Sequence, residues 1–187
     1  MIILFGAAGS GKSLQGQKLA EKYKWRWMSV GQLLRDCNDS ELEKIMNKGE
    51  LVSDEFVVNM MHREMMNSLE KGEVGILDGY PRDEWQAQWI VENGDIEHID
   101  GAIILRVPHE ELWKRLEARG RADDTKESIE KRWNLFETTI DNMVKILGVG
   151  NMKFVEVDGV GEIDVVTGRI EDVLREWGVL PEGELNG

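Results

Sequence analysis

Apolar residues fall along this chain in two rhythms. Short unbroken runs occupy 2–5, 25–28, 74–77, 102–107 and 153–157. Each is too short for a helix, and each reads as a strand buried on both faces. Between them apolar positions recur every three or four residues, which predicts amphipathic helices over 12–22, 31–48, 54–70, 83–92, 109–119, 126–146 and 162–177. In helix 126–146, Ile129, Trp133, Phe136, Ile140 and Val144 form one stripe and mark its core face. Buried strands alternating with helices imply a parallel sheet covered on both sides, with right-handed crossovers. Ligands of such sheets bind beyond the carboxyl ends of the strands, which is where the residues after Phe5, after Leu77 and after Val107 fall. Two segments break the alternation. Residues 30–71 carry helices with no strand between them, and are expected to be an insertion standing off the core, which is 1–29 and 72–187. Residues 119–125 are a short polar break, expected to be a minimal lid.

Length and charge narrow the picture. The 187 residues suit one domain with a sizeable core. A net charge of −13 argues against a nucleic-acid or anionic-membrane surface. No run approaches the 18 or so apolar residues of a membrane span, and the apolar start of the chain is too short for a signal peptide. Cys37 is the only cysteine, so neither a disulfide nor a cysteine zinc site is expected. A cytoplasmic monomer is the expectation. Against so acidic a background, Arg115, Arg119, Arg121 and Arg132 stand out as a cluster of cations. The seven tryptophans are accounted for by packing.

Two segments carry chemistry. Gly6-Ala7-Ala8-Gly9-Ser10-Gly11-Lys12-Ser13 fits G-x-x-x-x-G-K-[ST], between a predicted strand and a predicted helix. That arrangement wraps backbone N–H groups around phosphate at the positive end of a helix dipole. Lys12 can reach the β- and γ-phosphates of a nucleotide, and Ser13 can ligate Mg²⁺. The expected fold is therefore α/β, P-loop NTPase-like, with three α/β/α layers and a five-stranded parallel sheet. The second segment is Asp78-Gly79-Tyr80-Pro81-Arg82, after an apolar strand. A carboxylate at that position suits a hydrated Mg²⁺ beside phosphates. A regulatory GTPase fits less well, because Asn47-Lys48-Gly49-Glu50 lacks the aspartate of N-K-x-D.

At this point the chain resembles the adenylate kinases, within the nucleoside monophosphate kinases. Asp78–Arg82 resembles that family's D-G-[FY]-P-R, and Gln86 falls where the family has an adenine-reading glutamine. Residues 29–35 resemble S-T-G-D-[ML]-[LF]-R, and 49–55 resemble G-x-[LI]-V-[ST]-D-E. Residues 115–119 resemble R-x-x-x-R, 120–124 resemble G-R-x-D-D, and 157–159 resemble the segment that passes the ATP adenine. The resemblance implies MgATP plus AMP giving two ADP. It implies an ATP site of Gly9, Ser10, Gly11, Lys12, Ser13, Leu14, Arg115 and Gly159. It implies an AMP site of Ser29, Val30, Arg35, Leu51, Val52, Gly79, Arg82 and Gln86. Lys12, Arg82, Arg119, Arg121 and Arg132 would surround the moving phosphoryl group, and Ser13 with Asp78, through water, would hold Mg²⁺. No general base is needed, since the attacking phosphate oxygen is already anionic. His62, His98 and His109 lie outside these motifs and are expected to pack or face solvent.

Three departures from the family pattern matter. Ala8 replaces a proline and Leu14 a threonine in the phosphate loop. Val30 replaces the usual threonine, which opens a pyrimidine reading of the UMP/CMP kinase type. One residue, Gly120, separates Arg119 from Arg121, so the lid is very short, and a nucleotide-binding protein of low activity becomes a further alternative. The arginine-bearing helix ends are expected to close the site directly.

Overall fold

The computed structural model describes residues 1–37, 39, 42, 45, 52–120, 125–150 and 152–181. Five strands, β1 (Ile2–Gly6), β2 (Arg26–Ser29), β3 (Gly75–Asp78), β4 (Gly101–Arg106) and β5 (Lys153–Asp158), form one parallel sheet in the order β2-β3-β1-β4-β5. The expected five-stranded parallel sheet is thus present, each strand within about one residue of its predicted bounds. The helices among the described residues are α1 (Lys12–Tyr23), α2 (Val30–Asp36), α3 (Asp54–Glu70), α4 (Glu84–Glu92), α5 (His109–Arg119), α6 (Lys126–Leu147) and α7 (Ile163–Glu176).

Strand periodicity sends alternate side chains to opposite faces. Ile3, Phe5, Met28, Leu77, Ala102 and Ile104 pack under α3, α4 and α6, whose Met61, Met65, Ala87, Ile90, Ile140 and Met143 share their core cluster. Ile2, Leu4, Ile76, Ile103, Leu105 and Val157 pack on the other side with Leu19 of α1 and Val166, Ile170 and Leu174 of α7. Each such buried aliphatic contributes roughly 1.5–3 kcal/mol of transfer free energy. The result is the three-layer arrangement expected from the pattern. Lys22 of α1 and Glu171 of α7 add an ion pair at 2.7 Å across the second face.

Helix ends are set by local chemistry. Ser53 accepts from the Phe56 N–H, Asp83 from the Gln86 N–H and Thr125 from the Ser128 N–H, capping α3, α4 and α6. Gly120 ends α5 in the left-handed region.

Two expectations need adjustment. The helix over 31–48 is described as α2 as far as Asp36, with Leu42 and Ile45 helical; most of 38–51 lies outside the described residues. Within 30–71, α3 does not stand off the sheet. Its Val57, Val58, Met61 and Met65 are at most 3 % exposed and belong to the cluster of Ile3 and Leu77. Their i, i+1, i+4, i+8 spacing makes one apolar stripe, and burying that stripe outweighs leaving the helix free. The expected lid about 119–125 is described only at Arg119, Gly120 and Thr125.

Among the described residues no helix is long and apolar enough to cross a membrane.

Candidate active site

β1 lies between β3 and β4, so the chain leaves the sheet centre in both directions and a crevice opens at the strand ends. A cleft of about 880 Å³ occupies that position. Its floor is the turn from β1 into α1. Gly9 adopts φ +86°, and a Cβ there would meet Leu116 Cγ at 2.9 Å and the Leu112 carbonyl at 3.1 Å, so only glycine lets the turn lie against α5. Gly159 is the second close approach. A Cβ would meet Val107 Cγ2 at 2.7 Å, and its own N–H donates to the Arg106 carbonyl at 2.8 Å.

The predicted residues sort plainly. Gly9, Ser10, Gly11, Lys12, Ser13, Leu14, Arg115 and Gly159 line the cleft, and so do Ser29, Arg35, Val52, Asp78, Gly79, Arg82, Arg119 and Arg132. Val30 and Gln86 do not belong to that wall. Val30 is fully buried in the core cluster, and Gln86 is 2 % exposed. Arg121 and Leu51 lie outside the described residues.

Lys12 is the electrostatic centre. Its Nζ donates to the Ala7 carbonyl at 3.2 Å. Burial holds its pKa below the ordinary lysine range. Asp78 opposes the shift, and the positive fields of Arg82, Arg119 and Arg132 deepen it. These four cations therefore share one neighbourhood, although they come from α1, the loop after β3, α5 and α6. Arg82 behaves similarly. Burial among the cleft walls lowers its pKa, while Asp78 and Asp54 raise it. It stays charged, as guanidinium does in proteins. Its Nε donates to the Gly79 carbonyl at 2.9 Å, and Arg132 Nε donates to the Ser128 carbonyl at 3.2 Å. Concentrated positive charge in a chain of net −13 is a mismatch that a polyanion relieves.

Asp78 ends β3, is 2 % exposed, and leaves its Oδ2 without a hydrogen-bond partner. An orphaned carboxylate oxygen is costly unless a ligand satisfies it. A hydrated divalent cation does so, and Ser13 on the same cleft supplies a hydroxyl; the residues present fit Mg²⁺. Among the described residues no group of three or more His, Cys, Asp or Glu side chains could hold a metal ion, so the carboxylate, the hydroxyl and nucleotide phosphates are what such a cation would share.

Several site residues lie outside the sequence motifs. Glu111 accepts from Arg115 Nε at 2.9 Å, while Arg115 Nη2 donates to the Gly159 carbonyl at 3.2 Å. That pair, Glu four residues before Arg on one helix, is a spacing the sequence displays. Leu135 and Phe136 of α6 complete the far wall. Asp54, which falls within the 49–55 motif, lies behind the wall and accepts from Gln86 Nε2 at 2.6 Å, a contact across 32 residues that no spacing announces. Of the histidines, His109 packs 4.5 Å from Trp133 and His62 bonds Asp95 at 2.8 Å.

Together, the parallel sheet, the glycine turn and the cation-lined cleft define a P-loop NTPase-like α/β protein. Comparison with known proteins sharpens the class. The family model described as Adenylate kinase matches residues 4–149. The chain is 36 % identical over 152 residues to the adenylate kinase of Prochlorococcus marinus (strain MIT 9301), covering 77 % of this chain and 82 % of that one. It is 36 % identical over 177 residues to that of Mycolicibacterium vanbaalenii, covering 90 % and 95 %. It is 33 % identical over 186 residues to that of Parabacteroides distasonis, covering 93 % and 97 %. This chain belongs to the adenylate kinase family.

Proposed function

We propose that the chain catalyses reversible transfer of the terminal phosphoryl group of ATP to AMP, giving two ADP. The observation that carries the proposal is the convergence of Lys12, Arg82, Arg119 and Arg132 from four elements on one cleft beside a phosphate-cradling turn.

On this reading the turn from Gly9 to Ser13 grips the ATP phosphates through backbone N–H groups, and Lys12 bridges to the phosphoryl that moves. Arg115 and Gly159 bound the space for the donor base. Arg35 and Arg82 hold the phosphate of AMP, with Ser29, Val52 and Gly79 beside it. One AMP phosphate oxygen forms the new P–O bond as the bond to the β–γ bridging oxygen breaks, and that oxygen leaves on ADP. Charge balances without moving a proton, so no side chain needs to act as a base. Arg119, Arg132 and Arg121 offset the charge that builds on the passing group. One such arginine is worth about 10³–10⁵ in rate in related chemistry, roughly 4–7 kcal/mol. Mg²⁺, where bound at Asp78 and Ser13, supplies further charge neutralisation and orients the phosphates.

AMP is the acceptor this reading favours. Val30, on which the pyrimidine alternative rested, and Gln86, on which the adenine reading drew, are both buried outside the cleft lining, so the choice of AMP is supported by the family to which the chain belongs. Assaying MgATP with AMP, CMP, UMP and dTMP decides the matter. AMP is expected to turn over fastest; faster turnover of CMP or UMP refutes the adenine assignment, and no transfer to any acceptor refutes the kinase reading.

A further inference from the structure

α5 and α6 supply Arg119 and Arg132 to the cleft, yet they meet through rings that lie outside its lining. The His109 imidazole is 4.5 Å from the Trp133 ring, tilted by 56°, and 6.5 Å from the Trp113 ring. Lys126 Nζ sits over Trp113 at 5.9 Å, and Glu130 Oε1 is 3.2 Å from His109 Nε2. Tilted rings at such separations attract, and an ammonium over an indole face adds to the attraction. His109 meets Trp133, whereas Trp113, about one turn later, meets Lys126. The two helices therefore run antiparallel.

Helix geometry separates this cluster from the cleft. At about 100° per residue, His109 and Trp113 share one side of α5, and Arg115 and Arg119 share another about 120° away. On α6, Lys126, Glu130 and Trp133 share a side, and Arg132 is turned about 100° from Trp133. One face of the pair is clasped by rings while the neighbouring face gives the cleft its cations. The second half of α6 is anchored differently, by Ile140, Met143 and Leu147 in the core. Arg132 lies about two turns before that anchor. Between them, Arg106 faces the Phe136 ring at 5.9 Å and Glu137 at 3.6 Å.

We propose that His109 and Trp133 are positioning residues for phosphoryl transfer: their ring contact sets the rotation of α6 about its axis, and with it the place of the Arg132 guanidinium in the cleft. The inference rests on the proposed kinase reading. A group about 6 Å from a helix axis moves about 1 Å when the helix turns by about 10°. Misplacement on that scale can cost on the order of 100-fold in rate. On the kinase reading Arg132 meets charge that builds only as the phosphoryl group moves, so its displacement falls on kcat and spares both KM values.

The test is kcat, KM for ATP and KM for AMP in His109→Leu and His109→Phe. Both fill a partly buried position, and only phenylalanine keeps a ring against Trp133. His109→Leu is expected to lower kcat about tenfold or more, with both KM values within about twofold. His109→Phe is expected to keep kcat within about threefold of wild type. Equal kcat in the two variants overturns the proposal, and so does a loss carried by KM. Arg132→Lys keeps a charge but loses the planar fork, and it supplies the other leg of a double-mutant cycle. If the clasp acts through Arg132, adding His109→Leu to Arg132→Lys costs less than about threefold more. A full multiplicative loss overturns the assignment. A wild type that transfers no phosphoryl group sinks the kinase reading; an active wild type with His109→Leu at full kcat sinks the clasp alone. A readout free of turnover is the proton shift of the His109 ring in NMR spectra, assigned by its absence in His109→Phe. Shifts moved upfield by the Trp133 ring are expected, and shifts of free histidine overturn the contact.

Discussion

The two sides of the cleft are built on opposite plans. The phosphate-loop side is one uninterrupted stretch, Gly6 to Ser13, fixed by the exit from β1 and the start of α1; on the proposed reading its binding groups are backbone N–H donors. The opposite side is gathered from α2, Val52, the start of α3 and the loop after β3. Side-chain hydrogen bonds hold it together: Gln86 to Asp54, Arg82 to Gly79, Arg35 to Gln32, and Gln32 to Asp36. A backbone cradle binds any triphosphate tail and has little to adjust. A side-chain assembly can be retuned one residue at a time. On the proposed reading, the first side carries the chemistry common to all triphosphates and the second carries selectivity.

The largest effects come from the cations that link the sides. Lys12→Ala and Arg82→Ala are each expected to lower kcat at least about 10³-fold, leaving no measurable turnover. The ligand-free melting temperature of Lys12→Ala should hold or rise, because the ammonium is disfavoured where it sits. The sign follows from linkage. The folded-state pKa lies below the unfolded value of 10.5, so the penalty is complete below the folded pKa and fades as pH climbs toward 10.5. The advantage of the variant should fade in the same direction. Near-normal turnover in either variant removes that residue from the mechanism and breaks the link between the two sides.

A smaller effect sharpens the same contrast. Glu111 steadies Arg115 through a partly exposed pair at 2.9 Å, an interaction of the order of 0–1 kcal/mol. Glu111→Gln should raise KM for ATP about threefold and leave KM for AMP and kcat unchanged. Steady-state kinetics with each substrate varied separately checks it. A matching rise in KM for AMP would mean that Arg115 serves both sides.

The same division explains what could be read from the sequence. The phosphate loop was legible because glycine, lysine and serine at fixed spacing between a strand and a helix need no tertiary contact to make sense. The strands were legible because runs such as Ile2–Phe5 are too short and too apolar to be anything else. The packing of α3 was legible in principle, from the stripe Val57, Val58, Met61 and Met65, but a missing strand suggested an insertion more strongly than the stripe suggested core. The acceptor side was only partly legible. That Val30 turns into the core while Ser29 and Gly31 line the cleft depends on how α2 settles on the sheet. That Gln86 is oriented by Asp54 depends on α3 and α4 meeting. Hydrogen bonds between residues far apart in sequence leave no periodic trace.

The prediction with the least effect on turnover asks what the acceptor side stands on. Behind the loop after β3, Tyr80 is fully buried and Asp95 is 1 % exposed; the Tyr80 hydroxyl and Asp95 Oδ2 both lack hydrogen-bond partners. Asp95 Oδ1 meets His62 Nδ1 at 2.8 Å. Burial raises the Asp95 carboxyl above its ordinary range, and His62 only partly offsets the rise. Burial likewise raises the Tyr80 hydroxyl, with Asp95 adding to it. A carboxylic acid whose folded-state pKa is raised contributes stability that is present below the unfolded value of 3.8 and lost as pH rises through the folded value. The charged form is therefore a burden near neutrality. Asp95→Asn removes the charge and keeps the shape, so it should raise the melting temperature by about 2–4 °C at pH 8, the response of a domain this size to about 1 kcal/mol. The gain should be smaller at pH 5, because as pH falls toward the raised folded-state pKa protonation of the carboxyl relieves the same burden. Turnover should stay within about twofold, since Asp95 touches neither side of the cleft. An equal gain at both pH values would place the cost in packing rather than charge. A fall at pH 8 would mean that the buried pair supports the loop, and that the acceptor side owes its shape to electrostatics as well as to hydrogen bonds.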